Sequence, residues 1–439
     1  MHLDEKWVAK SKQFRPAHWD KPHTTVYDVP KPSPAHLAFH EDTFGVIIHF
    51  NYLTYLPPGN RTPDAVLDAA QFSPSSEKFT AQWLSLARDV GAKYAVYVAD
   101  HFSGFSTWPS ELSTFTVKHS PWRFGMGNVV ADFLESAEEH GIRPGVFYSF
   151  HNNWHRHVVN FNATTVDVLF QLARFKELLD EFGDNPAAQV WLDDGLQGEL
   201  LIEEFNKIIQ TLENSNTTCH HCGSASAAHA VSWMGNELAR MPYPNWNSQN
   251  QDCSDFDGNH YGSPDGTRYC PSHCDGVLNQ HFWFWEPYTS DRRYTVPELL
   301  ANYFTSVGRG CNFVLNMGPD TTGFLPKPDV ERYLEFGLWR RRTFESPLIE
   351  SYFMFYTDSN NKEHFVTTLT PMQTIGNHRY HLALEGLQDA HQLTIACRFL
   401  PTKSKASARV SYVAVHDWSD WLFDDFVAAV QNVTATMGE

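Results

Sequence analysis

Two carboxylates and several histidines draw attention in the 439-residue chain because each closes or follows an apolar run. Asp193 ends Val190-Trp191-Leu192-Asp193, and Glu237 ends Val231-Ser232-Trp233-Met234-Gly235-Asn236-Glu237, 44 residues later. Cleavage of a glycosidic bond with retention needs two carboxyl groups about 5 to 5.5 Å apart, one to attack the anomeric carbon and one to give and later take a proton. Asp193 and Glu237 are candidates for those roles. Simpler readings stay open on the residues alone: Asp193-Asp194-Gly195 is also ordinary turn chemistry, and Glu237 also reads as an exposed loop residue.

The histidines admit a second chemistry. His49, Asp100, His101, His151 and Asp193 would together suit a metal-dependent hydrolase, whose first strand presents two ligands spaced for one ion. Here His49 is followed by Phe50 and Asn51, which weakens that reading. Cys219-His220-His221-Cys222 and His273-Cys274 carry zinc-type donors, but no second Cys-x-x-Cys or His-x₃₋₅-His partner accompanies them. Disulfides are preferred, since five of the seven cysteines fall between Cys219 and Cys274 in a stretch rich in Asn, Asp, Gly and Ser. An odd count leaves at least one thiol over if all bridges are internal. Neither a metal nor a cofactor is expected.

A repeating grammar positions these residues. Phe79, Trp83, Leu86, Ala87 and Val90 share one helical face, Gly91 suits the helix stop, and the strand Lys93 to Ala99 follows with Asp100-His101 at its end. The unit returns with Val130, Phe133, Leu134, Ala137 and Gly141, then strand Gly145 to Ser149. It returns again with Val168, Leu172, Phe175, Leu179 and Gly183, then Gln189 to Leu192. A later round starts with Pro297 in a first helical turn and runs through Gly308 to the strand Cys311 to Asn316. Phe44 to His49 precedes them all. Alternating helices and apolar strands imply a parallel sheet buried on both faces. Polar residues at the strands' C-terminal ends favour a (β/α)8-like TIM barrel over an open doubly wound sheet. No Gly-x-Gly-x-x-Gly turn or P-loop follows an early strand. Past Phe344-Glu345-Ser346-Pro347 short stretches such as Tyr352–Tyr356, His381–Leu384 and Ala408–Val413 read as antiparallel strands. The expected organisation is a catalytic barrel over 1–345 and a small antiparallel β-sandwich over 346–439.

Composition narrows the partners. A net charge of −18 repels phosphate backbones and anionic lipid, so nucleic acid is not expected. No run approaches the roughly 18 to 20 apolar residues of a membrane span. The 14 Trp, 17 Tyr and 32 Phe supply faces for stacking on sugar rings, although most must serve the core. Sequons at Asn60, Asn162, Asn216 and Asn432, taken with the cysteines, favour a secreted or extracellular glycoprotein. The start, Met1-His2-Leu3-Asp4-Glu5-Lys6, has no apolar signal core: either a signal has been removed, or the protein stays inside.

Residues 44–149, 189–195, 231–237 and 283–326 resemble the α-L-fucosidases, glycoside hydrolase family 29. The resemblance is carried by Gly91-Ala92-Lys93-Tyr94, His101, Gly104-Phe105, Trp108-Pro109-Ser110 and Val117-Lys118 with Ser120-Pro121-Trp122. Gly45 to His49, and Gly308 with Asn312, Leu315, Asn316, Gly318, Pro319 and Gly323, add to it. The family's Trp-apolar-Asp-Gly motif maps onto Trp191, Leu192 and Asp193, with Asp194 where Gly is usual. It implies Asp193 as nucleophile and a retaining mechanism. Trp-x-Gly-Asn-Glu resembles the subgroup that prefers branched α-1,3/4-linked fucose and implies Glu237 as acid/base. His49, His101, Trp108, Tyr148 and Trp191 would surround the sugar, and Trp283-Phe284-Trp285 resembles a Trp-Phe-Tyr motif late in the barrel, adding Trp283 to the substrate-binding set. The expected partner is therefore a carbohydrate with terminal α-L-fucose or a related L-sugar. Two departures bear on that sugar: His101-Phe102-Ser103-Gly104-Phe105 replaces His-His-Asp-Gly-Phe, and a Glu-Trp pair is missing from Tyr52 to Pro58. A related α-L-glycosidase, or a sugar-binding barrel with little turnover, are the competing outcomes.

Overall fold

In a computed structural model, the chain is described over residues 30–183, 187–212, 217–222, 229–242, 245–249, 253, 262–263, 266–287, 292–341, 349–358, 363–369 and 390–399. Eight parallel strands close a barrel in sequence order: β1 (Phe44–Ile48), β2 (Tyr94–Val98), β3 (Arg143–Tyr148), β4 (Gln189–Leu192), β5 (Thr218–His220), β6 (Ala230–Trp233), β7 (Ser272–Gly276) and β8 (Cys311–Met317), with β8 pairing back onto β1. The (β/α) barrel read from the sequence is the fold observed. A two-stranded ribbon, Ser248–Gln249 with Arg268–Tyr269, lies in the long connection from β6 to β7.

The helices form where the apolar spacing and the caps agree. In α2 (Phe79–Val90), which follows α1 (Pro34–Asp42), Phe79, Trp83, Leu86, Ala87 and Val90 are buried, and Gly91 ends the helix in the left-handed region at φ 87°. A Cβ at Gly91 would lie 2.2 Å from the Arg340 guanidinium, a second reason for glycine there. Asn128 caps α3 (Val129–His140) by accepting from the Ala131 N–H, and Gly141 stops it at φ 64°. Thr164 with Asp167, and Thr295 with Glu298, make reciprocal capping boxes at α4 (Thr165–Asp180) and α6 (Val296–Ser306); α5 is Glu199–Leu212. The stop before β8 is one turn later than the sequence implied. A 3₁₀ turn over Val307–Arg309 carries the chain on to Gly310 at φ 86°, and Gly308 lies inside that turn. Helix α7 (Lys327–Arg340) completes the barrel layer.

A separate three-stranded antiparallel sheet comprises β9 (Ile349–Asp358), β10 (Glu363–Leu369) and β11 (Ala390–Phe399), with β9 central. The other two strands anticipated there, His381–Leu384 and Ala408–Val413, lie outside the described residues.

Disulfides join Cys219 to Cys222, Cys253 to Cys270 and Cys274 to Cys311. The first takes both thiols of the Cys-x-x-Cys motif, and the third ties β7 to its neighbour β8. No described helix is long and apolar enough to cross a membrane. Asn60 and Asn162 are exposed; Asn216 and Asn432 lie outside the described residues.

Candidate active site

Strand alternation decides what reaches the barrel mouth. On β4, Gln189 and Trp191 point inward, with the Trp191 Nε1–H donating to Gln189 Oε1 at 2.9 Å. Trp191 stacks on His220 (4.4 Å between ring centres, 13°) and packs on His273 (4.1 Å), whose Nδ1 lies 2.9 Å from that of His220. Burial holds both imidazoles far below the usual histidine range, so they are neutral. These three rings make a buried floor. Two residues beyond Trp191, the same alternation sets Asp193 on the mouth side of that floor.

Asp193 accepts a hydrogen bond from Ser149 Oγ at 3.0 Å, while its own N–H donates to the Tyr148 carbonyl at 3.1 Å. Burial and the neighbouring Asp194 charge push its carboxyl up to about 7, against the Ser149 hydrogen bond and the His151 charge. Asp194, at φ 50°, turns to His151 instead, with Oδ2 2.5 Å from Nδ1.

A wall of rings gathers around His49, which follows β1. His49 meets Trp283 (5.0 Å), Phe284 (5.1 Å), His101 (5.9 Å) and Phe147 (6.2 Å), and His101 stacks flat on Phe147 at 7°. His49 Nδ1 is 2.6 Å from Asn316 Oδ1, and Asn316 Nδ2 donates to the Trp283 carbonyl at 2.6 Å. With Nδ1 engaged, Nε2 is the ring nitrogen left for a ligand. Burial lowers His49 to about 3 and holds His101 well below the usual histidine range, so both meet a ligand as neutral imidazoles.

Glu237 lies after β6 in the left-handed region (φ 49°), a third exposed, with Oε2 2.6 Å from His281 Nε2. Its loop is pinned to β7 on both sides: Trp233 Nε1–H donates to Asp275 Oδ1 and the Ala239 N–H donates to the Asp275 carbonyl, both at 2.8 Å. Burial, with the Glu237 charge nearby, raises Asp275 to about 7. His281 touches Trp283 edge-on at 6.3 Å, which continues the ring wall from His49 to the Glu237 loop.

The structure thus brings His49, His101 and Trp283 together, sets Trp191 below Asp193, and sends two of the expected sugar contacts elsewhere. On β3 the inward residue is Phe147. Tyr148 is the alternate position, fully buried, and its hydroxyl donates to the Gln171 carbonyl of α4 at 3.0 Å. Trp108 is also fully buried, with Nε1–H donating to Glu177 Oε2 at 3.0 Å. Both flank the Arg174 guanidinium, 5.3 Å from the Trp108 ring and 5.8 Å from that of Tyr148. Asp100 faces the same way, paired with Arg174 at 2.7 Å, so the proposed metal quintet does not converge on one point. Among the described residues no group of three metal-type side chains is assembled. Sequence reasoning missed Ser149, Phe147, Phe284, Asp275 and His281. Period-two alternation was the signal that would have exchanged Tyr148 for Phe147 and Ser149.

Known proteins resemble the chain in sequence and in fold. The alpha-L-fucosidase family model matches residues 16–345. Alpha-L-fucosidase 1 of Arabidopsis thaliana is 29% identical over 345 residues, covering 76% of this chain and 65% of its own length. The chain therefore spans just under two thirds of that relative. The Dictyostelium discoideum alpha-L-fucosidase is 24% identical over 389 residues, covering 78% of this chain and 75% of that protein. Among solved structures, a glycoside hydrolase 29 family member from a rumen bacterium superposes with a TM-score of 0.64 at 20% identity, covering 77% of this chain and 68% of that one. A Ruminococcus gnavus GH29 fucosidase in complex with fucose gives 0.62 at 17% identity, covering 79% and 88%. At those identities the structural likeness speaks for the fold.

Proposed function

This chain belongs to the alpha-L-fucosidase family, glycoside hydrolase family 29, and from that premise we propose that it is a retaining, exo-acting glycoside hydrolase releasing terminal L-fucose from oligosaccharides or glycoconjugates. The observation that carries the reading is Asp193 at the end of β4, held by Ser149, in a barrel whose first two strands end in the neutral imidazoles of His49 and His101. Ionised Asp193 attacks the anomeric carbon while protonated Glu237 gives its proton to the leaving oxygen. Water, deprotonated by Glu237, then displaces Asp193 and restores both groups. His281, in contact with Glu237, orients the carboxyl that moves the proton. His49 and His101 hold sugar hydroxyls, Trp283 offers a stacking face, and Trp191 is the floor that keeps Asp193 in place.

A related L-sugar is the second reading, favoured by Phe102, whose ring packs 4.2 Å from His101 where a further polar contact would otherwise stand. The same proposal includes a barrel domain over 1–345, a C-terminal β-sandwich over 346–439, and secretion, which three disulfides suit.

Turnover of a panel of aryl α-L-glycosides (fucoside, galactoside, rhamnoside) and of α-D-glucoside, together with Asp193→Ala, Asp194→Ala and Glu237→Ala, tests it. Asp193→Ala should lose nearly all activity. Glu237→Ala should retain more on aryl glycosides with good leaving groups, which need little acid assistance. Activity surviving in Asp193→Ala but not in Asp194→Ala would move the nucleophile by one residue. Binding without turnover across the panel and branched fucosylated oligosaccharides would make the protein a sugar-binding barrel.

A further inference from the structure

Asp194 has an arrangement that the double-displacement chemistry does not use. It follows the nucleophile directly, adopts a left-handed backbone (φ 50°) that most side chains avoid, and brings Oδ2 within 2.5 Å of His151 Nδ1. The segment that supplies His151 also supplies Ser149, two residues earlier, whose hydroxyl donates to Asp193. Two consecutive acids are therefore gripped by two side chains of one loop, Asp193 by Ser149 and Asp194 by His151.

His151 is itself held firmly. Its ring stacks on Phe161 (4.8 Å, 23°) and meets Phe102 edge-on (6.0 Å, 87°), and its carbonyl accepts from the Phe161 N–H at 2.8 Å. The titratable groups around the Asp193–Asp194 pair come from four elements. Asp194 follows β4; His151 lies on the loop after β3; Asp100 follows β2, with its charge met by Arg174 of α4; and His221 follows β5 and faces Asp194. Of these, Asp194 and His151 act on Asp193 in opposite directions.

We infer that the His151–Asp194 ion pair is a charge-setting device for the nucleophile, in which the imidazolium cancels the carboxylate next to Asp193 and so lets Asp193 carry its own negative charge. The inference rests on the proposed role of Asp193, and His151 and Asp194 act as positioning residues through it. The local electrostatics agree in sign. Contact with Asp194 raises His151 above its ordinary range, contact with His151 lowers Asp194, and Asp193 is raised by Asp194 and lowered by His151.

The test is the acidic limb of kcat/KM against pH on an aryl α-L-fucoside with a good leaving group, where ionisation of Asp193 governs the limb. Asp194→Asn removes a like charge and should move the limb to lower pH. His151→Gln removes the compensating cation and should move it to higher pH. Each movement should be about two pH units, for charges about 6 Å apart at an effective dielectric near 20. The double variant should fall between the two. Asp194→Gly, which relieves the backbone as well as removing the charge, should match Asp194→Asn; this guards against a folding defect in the latter. Limbs that stay put, or that move in the same direction in both single variants, overturn the inference.

A second readout is independent of turnover. The His151 ring resonance, identified by its loss in His151→Gln, should titrate above the ordinary histidine range in the parent protein and drop in Asp194→Gly. An unchanged titration overturns the pairing. If those resonances behave as expected while Asp193→Ala keeps full activity, the pairing stands and the assignment of the nucleophile falls.

Discussion

Replacing Arg174 by Met should destabilise the barrel far more than a typical substitution, because it strands a charge. Arg174 Nη2 donates to Asp100 Oδ2 (2.7 Å), Ser106 Oγ (2.7 Å) and the Gly104 carbonyl (3.1 Å), and both members of the ion pair are fully buried. Breaking one side of such a pair typically costs about 3 to 5 kcal/mol. The separate hydrogen bonds are not added to that figure, since they belong to the same desolvated cluster. With an unfolding entropy of about 2 cal/mol/K per residue summed over the barrel, the melting temperature should fall by roughly 5 to 8 °C at pH 7. The sign with pH follows from Asp100, whose carboxyl is already raised to about 6 by burial with the arginine present. Without the cation its pKa rises further, so the variant loses stability as pH climbs past the ordinary carboxylate range. Its deficit should be larger at pH 7.5 than at pH 5. Asp100→Asn combined with Arg174→Met strands no charge and should melt higher than Arg174→Met alone at neutral pH. Thermal melts by circular dichroism across that pH range provide the assay. A drop below about 2 °C, or a deficit indifferent to pH, would refute the reasoning.

Three further outcomes follow from the site and its supports. Activity on an aryl fucoside should rise with pH through a midpoint near 7, because Asp193, raised to about 7, must lose its proton to attack; a pH–rate profile checks this. Asn316→Ala frees the His49 ring, so kcat/KM should fall by about tenfold or more, the equivalent of roughly 1.4 kcal/mol, with the melting temperature little changed. Opening the Cys274–Cys311 bridge by paired Ser substitutions should cost about 4 kcal/mol, from the entropy of freeing a loop with a sequence separation of 37; melts with and without reductant measure it.

The barrel was legible because helix, glycine and strand repeat with spacings that the physics of burial enforces. The buried face Phe79, Trp83, Leu86, Ala87 and Val90 of α2, stopped at Gly91, is an example in which periodicity and cap agree. The strand ends were legible too, which is why Asp193, His49 and His101 were singled out. What failed was the direction of side chains. Trp108 and Tyr148 carry polar edges beside aromatic faces, the profile of a sugar contact, yet they serve equally well as walls for a buried guanidinium. Only the alternation along β3, with Phe147 inward and Tyr148 toward α4, separates the two uses. The Asp275 carboxyl was hidden for a different reason. It sits between Cys274 and Gly276 in a short, polar strand whose pairing with β6 and β8 depends on contacts far apart in sequence.

The charge state of the mouth bears on which sugars suit it. His49 and His101 are kept neutral by burial, Arg174 is sealed against Asp100, and Arg61 is spent on Glu286 at 3.1 Å. Among the described residues, the ring wall therefore offers hydrogen-bonding nitrogens without a free cation to meet a sugar carboxylate. A uronic or sialic acid would bring its negative charge toward Asp193 and Asp194 uncompensated except by His151, which already answers Asp194. Phe147, Phe284 and Trp283 meanwhile crowd His49 with apolar faces. A neutral sugar with an apolar substituent, such as a 6-deoxyhexose whose methyl group replaces a hydroxymethyl, satisfies both conditions: nitrogens for its ring hydroxyls and rings for its methyl. The same balance explains how neutral imidazoles fit the chemistry. His49, whose Nδ1–H donates to Asn316 Oδ1, presents Nε2 as an acceptor, so a sugar hydroxyl would donate to an uncharged ring rather than compete with an imidazolium.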